Sequence, residues 1–256
     1  MNQLEVLLNA ELDTQNALSS LSQTPNEEHL PFTLRVVRSE ADLMKAVGIR
    51  HAAYARHVPG LAQTLTQPEA TDFDDGVAVL LAESKLNGMA LGTMRIQTNQ
   101  FKPLSLEQSL ALPAWLNGRM LAEATRLGIT EDRIGRVVKT ALFKAYYQYC
   151  VQAGVDWMVI AGRSPIDRQY ERLLFDDVYP GQGFIPLKHA SNMPHRVMAL
   201  RVCEVEPKWK AAQHPLYSYF FHTQHPDIVP MPVQQFETMC QPPVSARSFV
   251  AQAAAL

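Results

Sequence analysis

The alternation of apolar and polar residues predicts several β-strands in the first half of the chain. Residues 32–38 alternate with a period of two, as expected of a half-buried strand. Residues 77–84 and 89–96 are apolar enough for buried strands, and the segment between them ends in Asn87-Gly88, a strong signal for a hairpin turn. These patterns predict three strands, of which the second and third form a hairpin.

Two longer segments have the spacing of amphipathic helices. Residues 39–56 begin with Ser39 at a capping position, and residues 132–153 carry apolar side chains every three or four positions. The second helix lies between strand patterns at 120–129 and 155–161, which predicts a right-handed strand–helix–strand crossover. The remaining elements are a short helix over residues 165–175 and strands over 184–188 and 196–205.

The order of these elements indicates an α/β (α+β) fold with a mixed, mostly antiparallel central sheet flanked by helices. We expect this domain to span residues 32–205. Residues 1–31 show loose helical spacing followed by prolines, which predicts an N-terminal helix and linker. Proline is frequent from residue 206 onward, which indicates an extended C-terminal arm over 206–256 rather than a second core.

Composition narrows the class of protein. The chain has 256 residues, of which 47% are hydrophobic and 19% are charged, as in a globular protein. Its formal net charge of −2 offers no general attraction for nucleic acid. No apolar run reaches the ~20 residues of a membrane-spanning helix, and the start lacks the basic region of a secretory signal. Because the three cysteines are widely spaced and form no CxxC pair, we expect a protein of the reducing cytoplasm.

Common catalytic and cofactor motifs are missing from the sequence. It contains no GxSxG nucleophile turn, no GxxxxGK[ST] or GxGxxG phosphate-binding loop and no HExxH zinc motif. His214, His222 and His225 lie near one another in the C-terminal segment but lack the spacing of a metal site. We therefore predict neither a metal nor a bound cofactor.

Charged residues within the strand patterns are the first candidates for chemistry. Glu123 and Arg126 lie in the pattern 120–129, and Arg95 lies in the strand before it. Because a charged side chain in a buried strand must pair or face a cavity, two interpretations stay open. One is a structural Glu–Arg pair, and the other is a general base beside a guanidinium that binds a carboxylate. A strict period of two puts Glu123 and Arg126 on opposite faces, and only a bulge brings them together.

Two further segments are unusually charged. Residues 69–75 contain four acids, which form either a solvated loop or a group that faces positive charge. The helix pattern 132–153 carries basic side chains on one side, opposite its apolar face: Arg133, Arg136, Lys139 and Lys144. Basic groups beside the free N–H groups of a helix N-terminus suit an anion, although a solvated helix face is the common explanation.

Four short motifs follow one another along the chain: Ile49-Arg50 with Tyr54, Thr71-Asp72-Phe73-Asp74, Gly92-Thr93-Met94-Arg95-Ile96, and Glu123-Ala124-Thr125-Arg126-Leu127-Gly128-Ile129. In order and spacing they resemble the N-acyl amino acid synthases and their relatives, the acyl-homoserine-lactone autoinducer synthases. The most informative part is E-x-x-R-[LF]-x-[IV], which begins at Glu123. Both families are acyltransferases of the GNAT superfamily, so the resemblance implies a GNAT-like domain over residues 32–205.

The resemblance implies transfer of a long acyl chain from the phosphopantetheine arm of acyl carrier protein to the amine of an amino acid. Glu123, with Asp74 as the second candidate, would take the proton of the amine, and Arg95 or Arg126 would bind the carboxylate of the amino acid. Arg50 would reach Asp74 and hold the loop that carries Phe73 over the substrate. The acidic carrier protein would bind a basic group of residues: Arg133, Gly135, Arg136, Lys139 and Lys144.

The sequence also departs from the family pattern. Thr71 stands where the acid-rich motif has its first acid, so that only Phe73 and Asp74 match it directly and Asp72 lies one residue away. The glycine-rich pantetheine turn is reduced to Arg133-Ile134-Gly135-Arg136, which fits a donor bulkier than free acetyl-CoA. Two alternatives stay open: an autoinducer synthase that takes S-adenosylmethionine, which the absence of Trp from residues 32–114 disfavours, and a non-catalytic module that binds acyl groups or carriers.

Overall fold

A nine-stranded sheet forms the centre of the computed structural model, which describes residues 26–230. Its strands are β2 (Phe32–Val36), β3 (Val77–Ser84), β4 (Ala90–Thr98), β5 (Leu121–Ile129), β6 (Trp157–Gly162), β7 (Asp176–Asp177), β8 (Ile185–Leu187), β9 (Met193–Arg201) and β11 (Ile228–Val229). Two short strands outside it, β1 (Asn26–Glu27) and β10 (Thr223–Gln224), pair with each other.

The strands follow the order β11-β2-β3-β4-β5-β6-β9-β7, and β8 pairs with β9. Only the pairs β5–β6 and β11–β2 are parallel within this sheet; all others are antiparallel. The predicted hairpin joins β3 to β4. A mixed, mostly antiparallel sheet flanked by helices is therefore confirmed.

Between residues 26 and 230, five α-helices accompany the sheet: α1 (Glu40–His57), α2 (Pro59–Ala62), α3 (Arg133–Gln152), α4 (Asp167–Arg172) and α5 (Val205–Ala211). The main core packs α3 against one face of the sheet, where its apolar side chains meet alternate residues of the central strands. Helix α1 packs on the opposite face, on β3. Within residues 26–230 no helix is both long and apolar enough to cross a membrane.

Two segments between the predicted helices and strands contain short helical turns. Residues 57–76 form α2 and the 3₁₀ turns Gln63–Leu65 and Ala70–Phe73, and residues 99–119 include the turn Ser105–Gln108. A single turn is too short to show a period in the sequence, which explains why these turns were not predicted.

Strands β5 and β6 pair along only part of their length. Their parallel register runs from Leu121–Trp157 to Ala124–Ile160 and ends there, although β5 continues to Ile129. Helix α3 makes the crossover between them, as predicted. The two strands therefore separate just after Glu123. From Thr125 onward, β5 no longer pairs with β6.

A bulge in β5 changes which side chains share a face. Between two paired positions, Thr93–Gly128 and Arg95–Thr125, β5 has one residue more than β4. Arg126 takes up the extra length with a φ of 55°, a left-handed conformation that is strained for arginine. The bulge brings Arg126 to the face that carries Glu123 and Arg95, so the strict alternation predicted for this strand is wrong at one residue.

Residues 206–230 do not form the extended arm that their prolines predict. Trp209 of α5 is 2% exposed, Phe220 is 8% exposed, and both belong to the main core. Strand β11 pairs with β2 in the sheet. Proline restricts the backbone but does not prevent the aromatic residues between prolines from packing, which is why composition misleads here. The expectations for residues 1–25 and 231–256 lie outside the described part of the chain.

Candidate active site

A polar site lies on the α1 side of the sheet, between two apolar clusters. One cluster joins α1 to β3, and the other joins β5, β6 and β9 to the segment 104–116. Strands β4 and β5 direct Arg95, Gln97 and Glu123 into the space between them. Helix α1 comes close to β5 at Gly128, where a Cβ would lie 3.1 Å from the Cα of Arg50. This close approach places Arg50 in the site.

Three arginines and two carboxylates form a buried ion cluster in this space. Arg50 donates to both carboxylate oxygens of Asp72, at 2.9 and 3.0 Å. Arg126 donates to both oxygens of Glu69, at 2.6 and 2.7 Å. The Nη1 of Arg95 donates to one oxygen of each acid, at 3.1 and 3.3 Å. The three guanidiniums are buried, and they place three positive charges against two negative ones.

Burial and ion pairing oppose each other in this cluster. Burial raises the pKa values of Glu69 and Asp72, but the guanidiniums outweigh it and hold both pKa values below the usual range. Burial lowers the pKa of Arg126, but the hydrogen bond to Glu69 outweighs it and the net pKa is raised. Burial and the charge of Arg126 lower the pKa of Arg95 despite the two acids. Arg95 is therefore the less compensated of these two arginines.

Glu123 lies beside the ion cluster but pairs with none of its arginines. Its side chain has no solvent exposure; Oε2 accepts a hydrogen bond from the Leu106 N–H at 3.2 Å, and Oε1 has no hydrogen-bond partner within residues 26–230. Burial is the main cause that raises the pKa of Glu123 to about 7, although the Leu106 N–H and Arg95 lower it. A carboxyl with this pKa is suited to exchange a proton near neutral pH. The structural Glu123–Arg126 pair, one of the two interpretations from the sequence, is not formed.

Two 3₁₀ turns cover Glu123. One is Ser105–Gln108, and the other, Lys188–Ala190, places Nε2 of His189 3.6 Å from Oε1 of Glu123. The Lys188 N–H donates to the Ser109 hydroxyl at 2.8 Å and joins the two turns. No motif pointed to His189, because it follows β8 and is far from Glu123 along the chain. Across the described residues, no three His, Cys, Asp or Glu side chains are arranged to hold a metal ion.

The first turn of α3 presents Arg133 and Arg136 to solvent, as predicted. With Val137, Thr140 and Tyr219 they line a surface cleft with a volume of about 380 Å³. Asp132 caps the helix by accepting the Gly135 N–H at 2.9 Å. Gly135 is required at this position, because a Cβ there would lie 2.0 Å from the carbonyl oxygen of Thr130.

Comparison with solved structures relates this geometry to known proteins. The N-acyl amino acid synthase FeeM, from uncultured soil microbes, superposes with a TM-score of 0.55 at 20% identity, over 77% of this chain and 99% of FeeM. The CoA-dependent acyl-homoserine lactone synthase BjaI, solved with SAM and isopentyl-CoA, superposes with a TM-score of 0.52 at 12% identity, over 81% of this chain and 98% of BjaI. The chain has the GNAT-like fold of these synthases. No protein-family model and no curated protein sequence matches the chain.

Within this GNAT-like fold, the acid-rich loop places different acids in the site from those predicted. Asp72, with Glu69, occupies the ion cluster, and Arg50 pairs with Asp72 rather than with Asp74. Asp74 pairs instead with Lys102 near the surface. Asp74 follows the turn Ala70–Phe73 in extended conformation, which directs it away from Arg50. Phe73 follows Asp72 in this loop and is 71% exposed.

Two lysines predicted for the basic side of the GNAT-like crossover helix α3 are not free on its surface. Lys144 is 1% exposed, and its ammonium group donates to the carbonyl oxygens of Tyr219 and Thr223, at 2.7 and 2.6 Å, and contacts Nδ1 of His225 at 2.7 Å. The prediction of Lys144 as a carrier contact is therefore wrong, because the C-terminal segment covers this part of the helix. Lys139 is half-buried and donates to Gln169 at 2.7 Å.

Proposed function

We propose that this protein is an N-acyltransferase that moves a long fatty acyl group from an acyl-carrier-protein thioester to the amine of an amino acid. The observation that carries the proposal is Glu123: a buried carboxyl whose Oε1 has no hydrogen-bond partner among the described residues, beside the point where β5 and β6 separate. The fold shared with FeeM, an N-acyl amino acid synthase, supports the assignment of acyl transfer and of an amino-acid acceptor.

Glu123 supplies the base that such a reaction needs. An α-amino group has a pKa of about 7.7–8.0 and is mostly protonated at neutral pH, so it must lose a proton before it attacks a thioester. A carboxyl with a pKa of about 7 takes that proton with little cost. The unpaired edge of β5 beyond Ala124 provides backbone N–H groups for the oxygen of the tetrahedral intermediate.

Arg95 is the side chain that best fits the carboxylate of the acceptor. Arg50 and Arg126 each donate two hydrogen bonds to the two oxygens of one acid, and Nη1 of Arg50 also donates to Glu69 at 3.3 Å, whereas Arg95 donates to the two acids through Nη1 alone. Its Nη2 donates no hydrogen bond within the described range 26–230, and the cluster has one positive charge in excess. A carboxylate bound there balances the charge. We propose that Phe73, which is exposed next to Asp72, covers the acceptor.

Access to Glu123 requires movement, because its side chain has no solvent exposure. The turns Ser105–Gln108 and Lys188–Ala190 cover it, and the hydrogen bond between Lys188 and Ser109 joins them. This hydrogen bond must break for the two turns to separate. We propose that the acceptor enters between them and that the acyl thioester enters between β5 and β6.

The test of this function is Glu123→Gln, which keeps the shape of the side chain and removes the base. Purified protein is supplied with dodecanoyl-acyl carrier protein and a mixture of amino acids, and the products are identified by mass spectrometry. We expect the wild-type protein to form an N-acyl amino acid and the variant to lose at least about 100-fold in turnover while it still binds the donor. The kcat/KM of the wild-type protein should rise with pH through about 7, as Glu123 loses its proton.

Other products would replace this proposal with one of its alternatives. An acyl-homoserine lactone formed only when S-adenosylmethionine is added would show an autoinducer synthase, the activity in the name of BjaI. Binding of the carrier without any product would show a non-catalytic module. Unchanged turnover in Glu123→Gln would remove Glu123 from the role of base.

Arg133 and Arg136 are our proposed contacts for the acidic carrier protein, with Gly135 shaping the turn between them. Both side chains are exposed at the cleft beside the N-terminus of α3. Reversing both charges, Arg133→Glu with Arg136→Glu, should weaken transfer from the acyl carrier protein at least about tenfold and spare transfer from acyl-pantetheine. Equal losses with both donors would contradict docking at this surface.

A further inference from the structure

Glu123 is held by a hydrogen bond on only one of its two carboxyl oxygens. Within residues 26–230, Oε2 accepts the Leu106 N–H at 3.2 Å and Oε1 has no hydrogen-bond partner. The last torsion of a glutamate side chain has broad preferences, so the carboxyl can rotate unless one oxygen is fixed. The position of the Leu106 N–H therefore decides which oxygen stays free for the amine of an acceptor.

Gln97 holds the segment of chain that leads to Leu106. It lies on β4, directly across the β4–β5 pair from Glu123. Its Nε2 donates to the carbonyl oxygen of Pro103 at 3.0 Å, and its Oε1 accepts the hydroxyl of Ser105 at 2.7 Å. Gln97 is 2% exposed and Ser105 is 6% exposed. Both ends of one buried amide thus hold the residues just before Leu106.

We propose that Gln97 is a positioning residue for the base: it holds the Leu106 N–H on Oε2 of Glu123, so that Oε1 faces the amine. The inference rests on the proposed acyl transfer. Gln97 makes no hydrogen bond to Glu123 in the described chain, so its effect passes through Pro103 and Ser105. The base is then oriented before the acceptor arrives, which favours proton transfer.

This anchor is independent of the contact that breaks when an acceptor enters. The turns Ser105–Gln108 and Lys188–Ala190 cover Glu123 and are joined at the hydroxyl of Ser109. The hydrogen bonds of Gln97 reach only the first turn and the residues before it. The first turn can therefore stay on the sheet, with its N–H on the carboxyl, while the second turn moves away.

The hydrogen bond from Leu106 also affects the charge of Glu123. Burial raises the pKa of Glu123 to about 7, and the Leu106 backbone is the largest cause that opposes it. Release of this hydrogen bond should therefore raise the pKa further. The other charged or titratable groups that face Glu123 are unchanged by a substitution at residue 97: Arg95, Arg126, His189 and Tyr146.

Asn99 provides a matched control near the end of the same strand. Its Nδ2 donates to the carbonyl oxygen of Arg119 at 2.9 Å, and its Oδ1 accepts the Leu121 N–H at 2.8 Å. Like Gln97, it satisfies two polar groups with one amide, but neither of these groups is bonded to Glu123. A substitution of Asn99 therefore measures what such an amide contributes to stability alone.

The test compares Gln97→Met with Asn99→Leu, using dodecanoyl-acyl carrier protein and the acceptor found for the wild-type protein. Both changes replace an amide with an apolar side chain of similar size. We expect Gln97→Met to lower kcat at least about 10-fold, even at pH values above the midpoint, with little change in the KM for the donor. The midpoint of kcat/KM against pH should rise by about one unit. Asn99→Leu should keep the wild-type midpoint and a kcat within about twofold of wild type.

A second measurement does not depend on product. ¹³C NMR of labelled glutamate carboxyls follows the titration of Glu123, and Glu123→Gln identifies its signal. We expect the titration midpoint to rise in Gln97→Met, and to rise by less in Ser105→Ala, which removes only the hydroxyl partner. Asn99→Leu should titrate as the wild-type protein does.

Three results would each overturn the positioning role: an unchanged titration of Glu123 in Gln97→Met, a kcat of this variant within about twofold of wild type, or equal changes in Asn99→Leu. If Gln97→Met does not fold, the decision passes to Ser105→Ala, in which an unchanged titration overturns the proposal. A wild-type protein that forms no product contradicts the proposed function instead. The carboxyl titration still tests Gln97 in that case, so the two failures are distinguishable.

Discussion

Asp72 holds two of the three buried guanidiniums in the ion cluster. It accepts two hydrogen bonds from Arg50 and one from Arg95, and its side chain has no solvent exposure. A buried charge that loses its partner costs several kcal/mol, because water cannot replace the lost interaction. The charge of Asp72 is therefore a condition for the geometry of the site.

We expect Asp72→Asn to lower the free energy of unfolding by about 3–5 kcal/mol. The matched control is Asp74→Asn in the same loop, which affects a partly exposed pair with Lys102 and should cost less than about 1 kcal/mol. Urea unfolding of both variants near neutral pH gives the comparison. Similar losses in the two variants would show that the buried cluster contributes no more stability than a surface pair.

The pH dependence of stability follows from the directions of the pKa shifts. Because the pKa values of Glu69 and Asp72 are lowered on folding, their contribution is present at neutral pH and is lost as pH falls through the folded pKa values. The contribution of Glu123 to stability changes with pH in the opposite direction. Its pKa rises on folding from 4.5 to about 7, so the stability from its protonated form is lost as pH rises between these two values.

Glu123→Gln removes the contribution of Glu123 to the pH dependence of stability. Compared with the wild-type protein, the variant should gain on the order of 3 kcal/mol in the free energy of unfolding as pH rises from about 4.5 to about 7. Urea unfolding of both proteins at several pH values measures the difference, in which the contributions of other groups cancel. A difference that stays constant with pH would mean that the pKa of Glu123 is not raised on folding.

At the scale of elements, the turn from β5 into α3 depends on one glycine. Gly135 is buried, and its missing side chain leaves room for the carbonyl oxygen of Thr130. The same turn presents Arg133 and Arg136 at the proposed carrier site. Because backbone atoms form the obstacle, a change of rotamer cannot relieve a clash at this position.

Gly135→Ala should therefore destabilise the protein by at least about 1–3 kcal/mol and displace the first turn of α3. The control is Gly48→Ala in the exposed part of α1, where the added Cβ meets no atom of the described residues within 4 Å apart from the adjoining backbone of its own helix. That change should stabilise the protein by about 0.5–1 kcal/mol, because alanine favours a helix more than glycine does. Thermal unfolding of both variants measures the two changes in stability. A Gly135→Ala variant as stable as the wild-type protein would contradict this prediction.

At the scale of the whole molecule, Lys144 joins the C-terminal segment to the central helix. Three acceptors surround its ammonium group: the carbonyl oxygens of Tyr219 and Thr223 and a nitrogen of His225. Burial lowers the pKa of Lys144 to about 8, so the charged form still predominates near pH 7. The same segment supplies Tyr219 to the cleft beside Arg133 and Arg136.

Lys144→Met should leave these three acceptors unsatisfied and loosen residues 217–225 from α3, at a cost of roughly 3 kcal/mol. Hydrogen exchange should show faster exchange in this segment than in the wild-type protein. Lys139→Met, on the same helix and with one contact to Gln169, is the control and should not change exchange there. Equal protection in Lys144→Met and the wild-type protein would contradict this role.

The sequence alone determined the main elements and the residues that carry the proposed chemistry. The patterns of apolar residues that predicted β3, β4, β5 and α3 are local in the chain. A buried side chain recurs at every second position of a strand and at every third or fourth position of a helix. Charges inside those apolar patterns had to pair or face a cavity, which is why Glu123, Arg95 and Arg126 were recognisable as candidates.

Only the tertiary structure decided how these residues meet. Four features of the site depend on elements that are far apart in sequence. These features are the bulge at Arg126, the presence of Asp72 and Glu69 rather than Asp74 in the ion cluster, the burial of Lys144, and the contact between His189 and Glu123. Such contacts produce no repeating pattern in the sequence, because they form only when distant elements pack together and the chain between them closes into a loop. The sequence could therefore identify a charged centre in the sheet, and packing selected its partners.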